Sequence, residues 1–142
     1  MTYLDTGCFV KLYYPEPDSA KVIALIQGKP VGYTPLHELE FVNALQLKVF
    51  FKTAAAAQVT AARALVEADL QTGVLVSASG DWKEVFQEAV KLPEQHSGTM
   101  GCRSLDVLHC AAAKVLGAGE FISTDGRQKK LAAAMGLNLV TF

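Results

Sequence analysis

Residues 104–140 read SLDVLHCAAAKVLGAGEFISTDGRQKKLAAAMGLNLV, and their pattern indicates the fold class of the chain. With the preceding arginine and the two residues that follow, they predict a helix, a strand, a helix and a strand, over residues 103–116, 120–124, 126–136 and 137–142. Gly117 and Gly119 end the first helix, because glycine commonly follows the last helical residue. Strands that are separated by helices are typical of a parallel sheet.

The same alternation extends toward the N-terminus. Further strands are predicted over residues 2–5 and 30–34, and residues 74–79 are predicted to form a strand or an extended turn. Five further helices are predicted over residues 6–14, 18–28, 35–52, 53–73 and 82–92. Residues 93–101, PEQHSGTMG, are rich in turn formers and predict a loop. We therefore expect a single α/β domain over residues 1–142, with a mainly parallel sheet.

The composition limits the possible functions. The chain has 142 residues, of which 51% are hydrophobic, so it is long enough and apolar enough for one buried core. No segment has the roughly 18 uncharged residues of a membrane span, and the N-terminus lacks the basic region of a signal peptide. Three cysteines without CxxC spacing favour free thiols in a cytoplasmic protein. The formal charge of −1 means that any contact with nucleic acid needs a local basic patch.

Three acidic residues lie where predicted parallel strands end. Asp5 ends the first strand, Asp125 follows the strand at 120–124, and Glu40 lies in the first turns of the helix after the second strand. Ligands of parallel sheets bind at the carboxyl ends of the strands, so we expect these side chains on one rim. Glu38 is an alternative to Glu40, and the two point in different directions on a helix, so only one can face the site.

A fourth acid, Asp106, begins the helix at residues 103–116. Helical spacing puts it on one face with His109, Cys110 and Ala113. The opposite face is predicted to be the core-facing stripe, formed by Leu105, Leu108, Ala112 and Val115. Asp106 is therefore expected to point toward a flank or a cleft, and His109 is expected to pack against its neighbours.

Each acid taken alone has a simple structural explanation. Aspartates at helix starts accept backbone hydrogen bonds and suit the positive end of the helix dipole. Glutamates on helices are usually solvated. Several carboxylates on one rim, however, repel one another unless a proton or a cation lies between them. Ligands that offer only oxygen favour Mg²⁺ or Mn²⁺ over zinc.

Three blocks of the sequence resemble those of a known family. They read YLDTGCFVKLYYPEPDS, TPLHELEFVNALQLKVF and RSLDVLHCAAAKVLGAGEFISTDGRQKKLAAAMGLNLV. In this order they resemble the blocks of PIN-domain ribonucleases, and most of all those of VapC-type toxins from bacterial type II toxin–antitoxin pairs. The resemblance implies a PIN-like three-layer α/β/α domain. It also implies an enzyme that hydrolyses RNA phosphodiester bonds with Mg²⁺ or Mn²⁺ as cofactor.

The resemblance further implies which residues act. The acidic quartet of the family falls on Asp5, Glu40, Asp106 and Asp125, of which Asp5, Asp106 and Asp125 would hold the metal. Glu40 matches the pattern better than Glu38, because the small residue Ala44 follows it four positions later. Supporting polar contacts are expected from Thr6, Asn43 and Thr124. The family often has serine where this chain has Gly7.

Partners follow from the charges and from the resemblance. The basic residues that can contact RNA phosphates are Lys11, Lys48, Lys52, Arg103 and Arg127, with Lys129 and Lys130 beyond them. Each of these can equally be a solvated surface charge. The resemblance implies a cognate antitoxin that covers the acidic groove and pairs a basic side chain with the carboxylates. It also implies a homodimer, for which the apolar helices at 18–28 and 53–70 offer candidate surfaces, although packing in the core of the chain is an equally good use for them.

Two other functions stay open on the sequence alone. One is another phosphate-handling α/β domain with an acidic rim, although a dehalogenase-type phosphatase would need a second aspartate at the position of Gly7. The other is a non-catalytic interaction module that keeps the acids for structural reasons. Metal-dependent nuclease activity of the chain freed of partners distinguishes these functions from a ribonuclease.

Overall fold

Five short strands form one parallel sheet in the computed structural model, which describes residues 1–142. The strands are β1 (Thr2–Leu4), β2 (Val31–Tyr33), β3 (Leu75–Ser77), β4 (Glu120–Ile122) and β5 (Leu139–Val140). Their order in the sheet is β3-β2-β1-β4-β5, and every neighbouring pair is parallel. The carboxyl ends of all strands therefore lie at the same edge, with β1 in the centre.

Helices connect the successive strands. They are α1 (Thr6–Tyr13), α2 (Ser19–Ile26), α3 (Pro35–Phe50), α4 (Ala56–Thr72), α5 (Trp82–Leu92), α6 (Gly98–Met100), α7 (Ser104–Val115) and α8 (Gly126–Ala134). The predicted α/β class and parallel sheet are confirmed, although the strands are shorter than predicted. None of the helices has both the length and the apolar composition that crossing a membrane requires.

The sheet separates two hydrophobic layers. Successive side chains of a strand point to opposite faces, and Tyr3 and Leu4 of β1 belong to different buried clusters. Tyr3 shares its cluster with Phe121 of β4 and with residues of α5, α7 and α8. Leu4 shares its cluster with Ile122 and with residues of α1, α3 and α4. The predicted three-layer α/β/α arrangement is confirmed.

Polar residues at the ends of three strands cap the helices that follow. Asp5 caps α1, because one of its carboxylate oxygens accepts a hydrogen bond from the backbone N–H of Cys8 at 2.7 Å. Thr34 caps α3 after β2. Asp125 caps α8 after β4 and accepts two backbone N–H groups at 2.8 and 3.0 Å. Each tight turn thus holds a polar side chain at the carboxyl edge of the sheet.

The loop predicted for residues 93–101 is wrong. Residues Pro93–Ser97 form a π-helical turn that continues α5, and α6 follows it directly. Within an α-helix a proline clashes with the carbonyl four residues before it. Here the chain stays helical after Pro93 because it changes to a π-helical turn, in which hydrogen bonds join residues five apart instead of four. The chain leaves the helix at Gly101, where φ is +64°.

The core-facing stripe predicted for α7 is also wrong in part. Leu108 and Ala112 are buried as predicted, but Leu105 is 47% exposed. Cys110 and Ala113, on the face predicted to point away, are fully buried. The helix is covered on both faces because it lies between the sheet, α5 and α8, so the whole segment from Asp106 to Ala113 is buried.

Candidate active site

A polar cleft opens at the carboxyl edge of the sheet. Its volume is about 370 Å³, and no hydrophobic residue lines it. The lining residues are Asp5, Thr6, Gly7, Glu40, Arg103, Asp106, His109, Thr124, Asp125 and Gln128. The four acids predicted from the sequence therefore lie in one cleft. They reach it from the ends of β1 and β4 and from α3 and α7.

Asp5 lines the cleft and is only 5% exposed. Besides capping α1, its carboxylate accepts a hydrogen bond from the hydroxyl of Ser123. The same hydroxyl oxygen accepts the backbone N–H of Asp125 at 3.0 Å. Ser123 thus links the two aspartates that follow β1 and β4. Its role was missed in the sequence, where its position two residues before Asp125 was the available signal.

Glu40 is held by a network of buried side chains. Its carboxylate accepts a hydrogen bond from the Thr6 hydroxyl at 2.6 Å and another from Nε2 of His109. Nδ1 of His109 then accepts a hydrogen bond from the Tyr3 hydroxyl at 3.0 Å, which fits a ring that carries a proton on Nε2. Burial raises the pKa of Glu40, but the bonds from His109 and Thr6 outweigh burial and lower it overall.

His109 packs in the interior, as the sequence predicts, and is 2% exposed. Its contact with Glu40 was missed in the sequence, because the two residues are 69 positions apart. Gln128 was also missed. It is buried, and its amide contacts the hydroxyl of Ser123 at 3.1 Å and the backbone carbonyl of Asp106 at 3.5 Å. These two side chains connect the acids to the rigid core of the domain.

Asp106 and Asp125 are bridged by Arg103. The Arg103 guanidinium donates to both carboxylate oxygens of Asp106, at 2.9 and 3.3 Å, and to one oxygen of Asp125 at 3.2 Å. The backbone N–H of Gln128 is the main cause that lowers the pKa of Asp125. The N–H of Arg127 and the charge of Arg103 add to this effect, although burial opposes it. Hydrogen bonding to Asp106 raises the pKa of Arg103, so the guanidinium is positively charged at neutral pH.

The donor set suits a hard divalent cation, since carboxylate oxygens are the ligands that Mg²⁺ and Mn²⁺ prefer. The present arrangement is not that of metal ligands, because no three Asp, Glu, His or Cys side chains lie close enough to hold one ion. Asp106 and Asp125 are instead turned toward Arg103. The residues therefore fit a metal by their chemistry, and the guanidinium has to move for them to converge.

The other residues predicted for the site lie in different places. Thr6 and Thr124 line the cleft, whereas Asn43 is exposed on α3 and does not line it. Glu38 lies in a separate groove between α3 and α4, beside Arg63. Of the two candidate glutamates, only Glu40 faces the cleft.

The predicted RNA-contacting cations also differ in their surroundings. Lys11 and Lys48 both pair with Glu16, so their charges are partly neutralised. Lys52 is exposed just beyond α3, and Arg127 is exposed in the first turn of α8. Arg103, the fifth candidate, is turned into the cleft.

Comparisons with known proteins agree with this architecture. The sequence matches the PIN domain family over residues 2–134. Comparison with curated protein sequences gives no significant match. Among solved structures, the chain is similar to one in the crystal structure of VapBC2 from Rickettsia felis bound to a DNA fragment from their promoter. The TM-score is 0.65 at 15% identity, over 99% of this chain and 98% of that chain.

A second solved structure, FitAcB from Neisseria gonorrhoeae, is also similar. Its TM-score is 0.61 at 14% identity, and the likeness covers 99% of this chain and 97% of that chain. At such low identity the likeness to solved structures concerns the fold alone. The family match, in contrast, extends over nearly the whole sequence and includes all four acids of the cleft. The resemblance to PIN domains is confirmed, and the chain belongs to the PIN domain family.

Proposed function

We propose that this chain is a metal-dependent endoribonuclease of the VapC type, the toxin of a toxin–antitoxin pair that acts in the cytoplasm. One observation carries the proposal: Asp5, Glu40, Asp106 and Asp125 meet in one open cleft without hydrophobic residues. Membership of the PIN domain family supports it, as does the structural likeness to VapBC2 and FitAcB.

The proposed reaction is hydrolysis of an RNA phosphodiester bond. Asp5, Asp106 and Asp125 would hold one or two Mg²⁺ or Mn²⁺ ions. A bound ion of this kind lowers the pKa of a coordinated water and offsets negative charge on the phosphate. Glu40 would orient the attacking water through a hydrogen bond. Because its pKa lies below the ordinary value, this carboxylate is ionised and ready to accept such a bond at neutral pH.

RNA would be held by cations at the mouth of the cleft. Arg127 is the best placed of them, since it follows Asp125 by two residues and its exposed side chain makes no ion pair. Lys52 would extend the contact along α3. Phosphate contacts of this kind give affinity and position without reading the base sequence.

The antitoxin would cover the cleft and the groove beside it. That groove is lined by residues of α1 and α3 and shares Thr6 and Gly7 with the cleft. At the end of α3, Phe50 is 74% exposed and Phe51 is 67% exposed. Aromatic side chains exposed next to a binding cleft are typical of a protein contact surface. We also propose that the chain forms a homodimer, as the family resemblance implies.

The test uses two glutamates of the same helix as a matched pair. Purified chain freed of partners by unfolding and refolding is incubated with labelled RNA in Mg²⁺, Mn²⁺ or EDTA. We expect Glu40→Gln to lower cleavage by about 100-fold or more, since the loss of a catalytic acid or base costs that much. Glu38→Gln removes the same charge outside the cleft and should cleave like the wild type. Cleavage by Glu40→Gln at the wild-type rate contradicts the proposal.

The second candidate is a non-catalytic interaction module. The bridge from Arg103 to Asp106 and Asp125 favours it, because these carboxylates are already paired inside the chain. Folded wild-type protein that cleaves no RNA with either metal, yet binds the product of a neighbouring gene, would favour this function.

A further inference from the structure

Arg103 occupies an unusual position among the acids. It directly precedes α7 in extended conformation, and its side chain leaves the helix start and reaches into the cleft. The guanidinium contacts Asp106 through two nitrogens and Asp125 through one of them. Two nitrogens on one carboxylate are the strong, directed geometry of arginine pairs.

Arg103 is also the only lysine or arginine that lines the cleft. The four carboxylates there repel one another, and a single positive charge between two of them lowers that repulsion. A divalent ion would serve the same purpose and would need oxygens of the same two aspartates. The carboxylate oxygens of Asp106 and Asp125 therefore cannot all bind the guanidinium and the ion at the same time.

The arginine is free to leave without disturbing the core. Its side chain is 59% exposed, whereas that of Asp106 is only 11% exposed. Its side chain makes no capping hydrogen bond to the backbone at the start of α7, so the helix does not depend on the position of the guanidinium. Movement of the side chain into solvent would break three hydrogen bonds. It would leave the hydrophobic cluster around α7 intact, because Arg103 is not part of that cluster.

We propose that Arg103 is a built-in counter-ion that competes with the divalent cation for Asp106 and Asp125. This rests on the proposed metal-dependent function and adds its regulation. At low concentrations of the ion the guanidinium holds the two carboxylates in the inert arrangement. Binding of the ion releases the arginine, and the aspartates then turn toward the other acids.

The first test measures metal binding and needs no RNA cleavage. Mg²⁺ and Mn²⁺ are titrated calorimetrically into the wild type, Arg103→Gln and the matched control Arg127→Gln, which removes the same charge at the rim. Exposed ion pairs each contribute up to about a fivefold factor, so losing both bridges should tighten binding by about tenfold in Arg103→Gln. Arg127→Gln should tighten binding by a smaller factor, below about threefold, because the charge of Arg127 acts on Asp125 without forming an ion pair. Equal or weaker binding by Arg103→Gln, or no binding by any variant, overturns the proposal.

A second readout separates competition from a general charge effect. In ¹⁵N-labelled wild type the Nε–H of Arg103 is hydrogen-bonded to Asp106 at 2.9 Å, so it should exchange slowly with water. Addition of Mg²⁺ should abolish this protection over the same concentration range as binding. Protection that persists at saturating Mg²⁺ overturns the proposal. Should Arg103→Gln not fold, Arg103→Lys serves instead, because lysine keeps the charge but cannot form the two-nitrogen contact.

These results are independent of the proposed enzyme activity. Tighter metal binding by Arg103→Gln in a protein that cleaves no RNA supports the competition and contradicts the ribonuclease. Metal-dependent cleavage with equal affinities in all variants supports the ribonuclease and contradicts the competition.

Discussion

His37 gives the domain a pH-dependent stability that can be calculated. The ring is fully buried between the sheet and α1, where it lies 5.2 Å from the ring of Phe9. Its Nε2 donates to the backbone carbonyl of Leu4 at 2.8 Å, and its Nδ1 accepts the backbone N–H of Thr34 at 3.2 Å. Because the second nitrogen is an acceptor, these contacts suit the neutral ring only.

Burial lowers the pKa of His37 to about 3 from its ordinary value of 6.5, and the nearby His109 contributes to this shift. The carbonyl of Leu4 and the charge of Glu40 oppose it only weakly. The unfolded chain therefore binds a proton below about pH 6.5, whereas the folded chain does not, and protonation favours unfolding. Stability from this residue is complete above the unfolded-state pKa and is lost as the pH falls toward the folded-state pKa.

The size of the effect follows from the two pKa values. Each pH unit between them costs about 1.4 kcal/mol, so lowering the pH from about 7.5 to about 5 should cost roughly 2 kcal/mol. Urea unfolding of the wild type and of His37→Gln at both pH values measures it. The wild type should lose roughly 2 kcal/mol more than the variant, because the other titrating groups are common to both.

The histidine can also be observed directly. The ring resonance of His37 in the folded protein should not titrate down to about pH 5. Equal pH dependence of the two proteins, or a His37 resonance that titrates near its ordinary value, would refute the reasoning.

Three further predictions concern the cleft. Ser123→Ala should lower the free energy of unfolding, measured in urea, by about 1–3 kcal/mol, because it leaves a buried carboxylate oxygen of Asp5 without its hydrogen-bond donor. Thr124→Ala, at an exposed neighbouring position, should change that free energy little. Gly7→Ser should fit, since its Cβ would lie 3.5 Å from Asp5 Oδ1, and should raise the unfolding free energy by about 0.5 kcal/mol. Arg127→Gln should weaken RNA binding and reduce the slope of log K against log salt by about 0.7, measured by fluorescence anisotropy.

The sequence predicts the positions of the acids well where neighbouring residues determine them. Asp5 and Asp125 each follow a short strand and cap the next helix, and both features can be read from neighbouring residues. Parallel topology then brings them to one edge. Glu40 was separated from Glu38 by family resemblance, and the cleft contains only Glu40.

Contacts between distant residues could not be predicted in this way. The i,i+3 spacing of Arg103 and Asp106 is a local signal for their ion pair, but the sequence does not indicate that Arg103 also binds Asp125, which lies 22 positions away. The hydrogen bond between Glu40 and His109 could not be predicted either, because the two residues are 69 positions apart and lie on different helices. The burial of Cys110 and Ala113 has a similar cause, since α7 is covered by elements on both sides and its periodicity alone does not reveal them.

The most direct test of the central claim compares wild type and Asp106→Asn for cleavage of the same RNA, in Mg²⁺ and in EDTA. Asparagine keeps the shape of the side chain and removes the charge that a metal ion needs, so the variant should stay folded. We predict that the wild type cleaves the RNA in Mg²⁺ but not in EDTA, and that Asp106→Asn cleaves it in neither. Cleavage by Asp106→Asn at the wild-type rate, or by the wild type in EDTA, would contradict the account.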